Sequence, residues 1–185
     1  MRVAAFDPGL GGAMALLADG AAPIVIPMPT VPVPGGSKRK LDTTAIRVYL
    51  TTWKPDIVVI EKQQAMPGKF NRRKKDGSYS PEKEGDDKNH QGVASTFTIG
   101  LNYGVLIGIC AGLGIPIEIV HPKTWKKAML SDTTKDKGAS VLRAQQLFPG
   151  VNLKRTERCK GPDDGMAEAL LLAEYGRRLR GAALN

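Results

Sequence analysis

The chain has 185 residues, enough for one domain with a real core, and its 42% hydrophobic content excludes intrinsic disorder. Its 27 Lys and Arg against 18 Asp and Glu leave a formal charge of +9, an excess that favours nucleic acid or an anionic surface as partner. Two His and two Cys (Cys110 and Cys159) are too few for a zinc set, no apolar run reaches the ~18 residues a spanning helix needs, and Asp7 interrupts the N-terminal apolar run, so the expectation is a soluble cytoplasmic protein with reduced thiols and no membrane partner.

In chain order, residues 2–7, 12–18 and 22–27 read as three short strands linked by glycine turns, with Asp19-Gly20 a hairpin signal. Residues 28–36 are Pro-rich and read as an extended loop. Leu41, Ala45, Val48, Tyr49 and Trp53 stand at helical spacing behind a start at Asp42-Thr43-Thr44, and residues 56–61 form a β-branched run that is apolar on both faces and therefore central in a sheet. About residues 67–90 the composition turns to Lys, Arg, Gly and Pro, with Phe70 and Tyr79 interleaved, which predicts a flexible basic loop that touches phosphates through Lys69, Arg72, Arg73, Lys74 and Lys75 and stacks an aromatic on an unpaired base. From 91 to 113 a helix carries Gly100, Gly104, Gly108 and Gly112 along one stripe, fit for close packing against the sheet, a second subunit or DNA. A strand at 115–120 and helices at 122–130, 136–147 and 163–180 complete the chain. Three antiparallel strands followed by two joined through helical crossovers predict a five-stranded mixed sheet flanked by helices, an α/β fold in a single domain spanning 1–185.

Three acidic positions fall at the ends of separate elements. Asp7 closes the first strand before Pro8-Gly9, Glu61 closes the run that begins at Asp56, and Asp163, Asp164 and Glu168 open the last helix. A lone buried carboxylate is costly, so these acids are expected to face a cleft and meet a cation. Oxygen-only ligands select a hard ion, Mg²⁺ with Mn²⁺ as substitute, and several carboxylates with two such ions suit phosphodiester hydrolysis. Asp164 and Glu168, four residues apart, repel each other across one helix face unless a cation lies between them. First-turn acids also offset the helix macrodipole, so Asp163 and Asp164 have a structural reason to be there as well.

Phe6-Asp7-Pro8-Gly9, Ile60-Glu61-Lys62-Gln63, the stretch Gly100 to Gly108, and Asp164 through Ala167-Glu168-Ala169-Leu170 together resemble the RuvC-type Holliday-junction resolvases, in particular the small phage-encoded branch. The resemblance runs in order from residue 2 to about 180. It implies an RNase H-like fold, a homodimer, and Mg²⁺-dependent paired nicking of four-way DNA junctions that leaves 5′-phosphate and 3′-hydroxyl ends. It gives Asp7 and Glu61 the roles of the acids on the first and fourth strands and Glu168 that of the second acid on the last helix. The family carries a further Asp three residues before that one, where this chain has Gly165. Asp164 is the nearest substitute, with Asp163 behind it. The resemblance also makes Lys137 the candidate for the scissile phosphate, and places Gln63, Gln64 and Phe70 where the family touches the junction centre.

Two other readings stay open. One is a nuclease with broader branched-DNA specificity for flaps, Y-junctions and forks. The other is a non-catalytic RNase H-like module that binds branched DNA, a reading that the missing acid at 165 favours. An actin-like kinase or ATPase also begins with Asp-x-Gly after its first strand, but needs two domains and a second phosphate loop, so no nucleotide cofactor is expected.

Overall fold

The protein is described here by a computed structural model, and the description covers residues 1–64, 93–132 and 138–183. Three strands, β1 (Arg2–Asp7), β2 (Ala13–Ala18) and β3 (Ile24–Pro27), form an antiparallel meander. Two more, β6 (Ile57–Glu61) and β7 (Ile117–Val120), add parallel to β1, giving the expected five-stranded mixed sheet in the order β3-β2-β1-β6-β7. A separate two-stranded ribbon pairs β4 (Thr30–Pro32) with β5 (Arg39–Leu41). The extended loop expected at 28–36 is thus corrected. Its prolines occupy a strand edge that needs few donors, and Gly35 at φ +78° turns the chain back to meet residues 39–41.

The helices are α1 (Thr43–Trp53), α2 (Val93–Gly112), α3 (Pro122–Leu130), α4 (Ala139–Leu147) and α5 (Asp164–Ala183). Local chemistry sets several of their ends. Asp42 Oδ1 accepts from the Ala45 N–H at 2.9 Å to start α1, and His121 followed by Pro122 starts α3. α4 begins at Ala139 behind Gly138, later than the 136 expected, because Gly138 at φ +100° interrupts the helical path. Lys137 lies outside the described residues, as do Lys69, Phe70, Arg72, Arg73, Lys74, Lys75 and the whole basic loop.

Strand periodicity sorts the core into two layers. Val3 and Ala5 of β1, with Ile57 and Val59 of β6, face α3, α4 and α5. Ala4, Phe6, Val58 and Ile60 face α1 and α2 on the other side. Side chains alternate along a strand, so Asp7 and Glu61, next in each odd-numbered series, belong to the α5 side. α5 lies close against this face. A Cβ at Gly176 would collide with Val59 and come within 3.2 Å of Val3 Cγ1, so only glycine lets the helix settle there.

The expectation that no segment suits a membrane span is also corrected. Ala94–Gly112 is long and apolar enough by length and composition. Its Ser, Thr, Asn and Gly break up the apolar run, yet α2 carries no charged residue, and charge is what excludes a helix from such a class. Both cysteines are free.

Candidate active site

β1 and β6 run parallel with Phe6 opposite Ile60, so Asp7 and Glu61 emerge side by side at the carboxyl end of the sheet, where open α/β sheets place their sites. The turn that follows β1 is tight. Gly12 N–H donates to the Gly9 carbonyl at 3.2 Å, and a Cβ on Gly12 would overlap the Asp7 carbonyl oxygen, so the return strand presses directly on the acid's own backbone. The first turn of α5 closes over the same point. A Cβ on Gly165 would stand 3.0 Å from Asp7 Oδ2, 3.1 Å from the Gly11 carbonyl oxygen and 3.2 Å from Asp163 Oδ1.

That placement settles which face of α5 looks at Asp7. Gly165 and Glu168, three residues apart, lie toward it, and Glu168 raises the Asp7 pKa through space. Asp164 is exposed to solvent and is not among the charges acting on Asp7. Asp164 shares a helix face with Glu168 but stands in solvent at the start of α5, with Gly165 rather than Asp164 against Asp7. Asp163 is nearer but already engaged. Its Oδ1 caps α5 by accepting from Met166 N–H at 3.0 Å, and its Oδ2 accepts from Arg155 Nε at 2.6 Å. Gln63 and Gln64 follow β6 at the rim, the first half-buried and the second exposed.

The electrostatics are those of crowded acids. Asp7 is pushed from 3.8 up to about 7, first by burial, then by the charges of Glu168 and Glu61, with Lys126 opposing and Asp163 adding a smaller push. Burial likewise raises Glu61, while a hydrogen bond from Trp125 holds it back. Trp125 is fully buried and donates from Nε1 to Glu61 Oε2 at 2.7 Å. Its neighbour Lys126 places Nζ 2.7 Å from Glu168 Oε1 and 5.1 Å from the Trp125 ring centroid, so one cation is held by a carboxylate and an aromatic face together. Ser140 Oγ lies 3.2 Å from the same Glu168 oxygen.

Arg155, in the connection between α4 and α5, ties the site's backbone together. Its Nη2 donates to the Gly11 carbonyl and, at 2.8 Å, to the Gly12 carbonyl, while Nε holds Asp163. Sequence reasoning missed Trp125, Lys126, Ser140 and Arg155. The readable signal was an aromatic–lysine pair just after the last parallel strand; nothing local marks Arg155.

As they stand, no three His, Cys, Asp or Glu side chains among the described residues are drawn together tightly enough to hold an ion. Glu61, Glu168 and Asp163 each turn to a protein donor instead. The donor set nonetheless fits a hard divalent cation. It is all oxygen, and its members hold Asp7 in a state that added positive charge would relieve.

No protein-family model and no curated protein sequence matches the chain. Solved structures do. A RuvC structure from Thermus thermophilus aligns at 15% identity and TM-score 0.56 over 97% of both chains. The T. thermophilus RuvC in complex with Holliday junction substrate aligns at 15% identity and TM-score 0.60 over 97% of this chain and 96% of that one. The yeast mitochondrial Holliday junction resolvase Ydc2 aligns at 12% identity and TM-score 0.53 over 97% of this chain and 78% of that one. The likeness is one of fold. The chain has the RuvC-type resolvase fold, an RNase H-like α/β architecture.

Proposed function

We propose that this protein is a divalent-metal-dependent endonuclease that resolves four-way DNA junctions by paired nicking, acting as a homodimer. The observation that carries the reading is the convergence of Asp7, Glu61 and Glu168 at the carboxyl end of a RuvC-type sheet, with Asp7 buried and pushed up to about 7 by its neighbours. The solved structures of this fold include a resolvase bound to a Holliday junction, and the +9 charge of this chain suits the same polyanion.

Asp7, Glu61 and Glu168 would hold the ion, Mg²⁺ or in its place Mn²⁺; Asp163 would join only by giving up Arg155. When bound, such an ion activates water and offsets the charge that develops on the phosphate. The remaining work falls to the chain itself. Trp125 orients Glu61, and Lys126 supplies a positive charge beside Glu168, where a phosphate oxygen would need it. Gly165 leaves room over Asp7 that a side chain would fill.

Pairing two cuts requires two sites. α2 offers the surface for a second copy. It is uncharged and, among the described residues, largely exposed, with Phe97 70% and Leu101 55% accessible, and a Cβ added at Gly100, Gly104, Gly108 or Gly112 would meet none of the described residues within 4 Å. Light scattering coupled to gel filtration reads the dimer directly.

The test of the function uses labelled four-way junctions beside flaps, Y-junctions, forks and linear duplex, with Mg²⁺, Mn²⁺ or EDTA. Wild type nicks the four-way junction in symmetric pairs and needs the ion. Asp7→Asn still binds but its cutting rate falls by more than about a hundredfold. An Asp7→Asn variant that cuts like wild type overturns the catalytic assignment. A wild type that binds branched DNA without nicking it in either metal leaves the non-catalytic binding module in its place.

A further inference from the structure

The β4–β5 ribbon has no part in the catalytic arrangement, yet it is rooted in it. β3 ends at Pro27 opposite Ala13, and Ala13 lies opposite Asp7, so the chain leaves the sheet at the same end that carries the acids. Met28 N–H then donates to the Gly12 carbonyl at 3.0 Å, the same oxygen that accepts from Arg155. At the other root Asp42 N–H donates to the Pro29 carbonyl at 2.9 Å, and both Met28 and Leu41 are buried. The ribbon is therefore anchored at both feet beside the Asp7 turn.

Its far end is built to present charge. Val33 N–H donates to the Lys38 carbonyl at 2.9 Å and closes the tip around Gly35. Arg39 lies back along the partner strand, with Nε donating to Thr30 Oγ1 at 2.8 Å and Nη2 to the Thr30 carbonyl at 2.6 Å. Leu41 points into the core, so strand alternation turns Lys40 outward. Lys38, Arg39 and Lys40 are all exposed, and none forms an ion pair among the described residues. No acid occurs in the sequence from Ala21 to Leu41. A two-stranded arm with three positive charges that form no ion pair among the described residues, rooted at the end of the sheet that carries the acids, attracts a polyanion.

We infer that the β4–β5 ribbon is a second DNA-binding element, which grips the phosphate backbone of one duplex arm outside the cleavage site through Lys38 and Lys40. The inference rests on the nuclease reading above and adds to it a contact made by residues other than the acids. Lys38 and Lys40 are not members of the acid cluster, so the contact positions the DNA and takes no part in the chemistry. It reads backbone charge and carries no base specificity.

The test is a salt series. Fluorescence anisotropy with a labelled four-way junction and with a linear duplex, in EDTA, is run for wild type, for Lys38→Ala/Lys40→Ala, and for Lys38→Arg/Lys40→Arg. Loss of two phosphate contacts makes the slope of log K against log salt shallower by about 2 and raises Kd near physiological salt by roughly tenfold or more. The shift appears on both DNAs, because the contact is to an arm, and the arginine pair restores it. Unchanged thermal melting checks that the fold is intact. A double alanine variant with the wild-type slope and Kd overturns the inference while leaving the nuclease reading in place. A shift confined to the four-way junction overturns the arm assignment. A wild type that binds no branched DNA sinks both.

Discussion

Replacing Asp7 by Asn is expected to stabilise the protein while it destroys activity, and the gain should depend on pH. The Asp7 carboxyl is raised from 3.8 to about 7 by burial and by Glu168, Glu61 and Asp163, with Lys126 opposing. A shift of about 3 units corresponds to roughly 4 kcal/mol at about 1.4 kcal/mol per unit. The folded state holds this proton more tightly than the unfolded chain does. Stability therefore falls as pH rises from about 4 to about 7 and levels off above that, once the buried carboxylate is charged in the fold. Asn carries no charge at any of these values. Asp7→Asn should match wild type near pH 4 and exceed it progressively, by up to about 4 kcal/mol at pH 8, or roughly 8–16 °C in Tm for a chain of this size. Urea unfolding or thermal melting in EDTA from pH 4 to 8.5 measures it. Mg²⁺ or Mn²⁺ added at pH 8 should raise the wild-type Tm and leave the variant nearly unmoved, since the ion offsets the same repulsion. A variant no more stable than wild type at pH 8, or a difference that does not change with pH, would refute the claim that burial and crowded acids strain this carboxyl.

Two other substitutions probe the residues that hold the acids. Trp125→Phe removes the hydrogen bond that opposes the raised pKa of Glu61, so Glu61 stays protonated to higher pH and the acid limb of the pH–rate profile moves upward; an unmoved limb counts against that role. Arg155→Met frees Asp163 and the Gly11 and Gly12 carbonyls, so the expected outcome is about 1–3 kcal/mol of lost stability together with a fall in single-turnover cutting while junction Kd is kept, and wild-type cutting by this variant would remove Arg155 from the positioning machinery.

Much of the architecture is legible because strands write a period of two into the sequence. The run from Val3 to Asp7 and the run from Ile57 to Glu61 each end in an acid on an odd number, and the parallel register aligns them, so both carboxylates reach the same face without further information. The last helix is different. Its continuous apolar run shows that Ala169 to Ala173 are buried, but the offset that puts Gly165 rather than Asp164 over Asp7 depends on how closely α5 approaches the sheet. That approach is set by Gly176, three turns away, and no local pattern around residue 164 encodes it. Lys126 and Arg155 are silent for a related reason. A surface lysine and a loop arginine have the same local signature whether they face water or a carboxylate on a distant element. The ribbon was hidden because prolines normally argue against pairing, and a short edge ribbon is the exception they permit.

The Gly12 carbonyl has two lone pairs, and the fold uses both, one for Met28 and one for Arg155. Surface turns at strand ends ordinarily accept insertions and deletions freely. This one is a fixed-length part. A residue added or removed between Asp7 and Ala13 would shift that oxygen off two partners at once, orphaning the Met28 N–H and leaving the Arg155 guanidinium with Asp163 alone, and would lift the second strand off the back of the acid. Length variation among descendants of this chain should therefore collect elsewhere on the surface and spare these few residues.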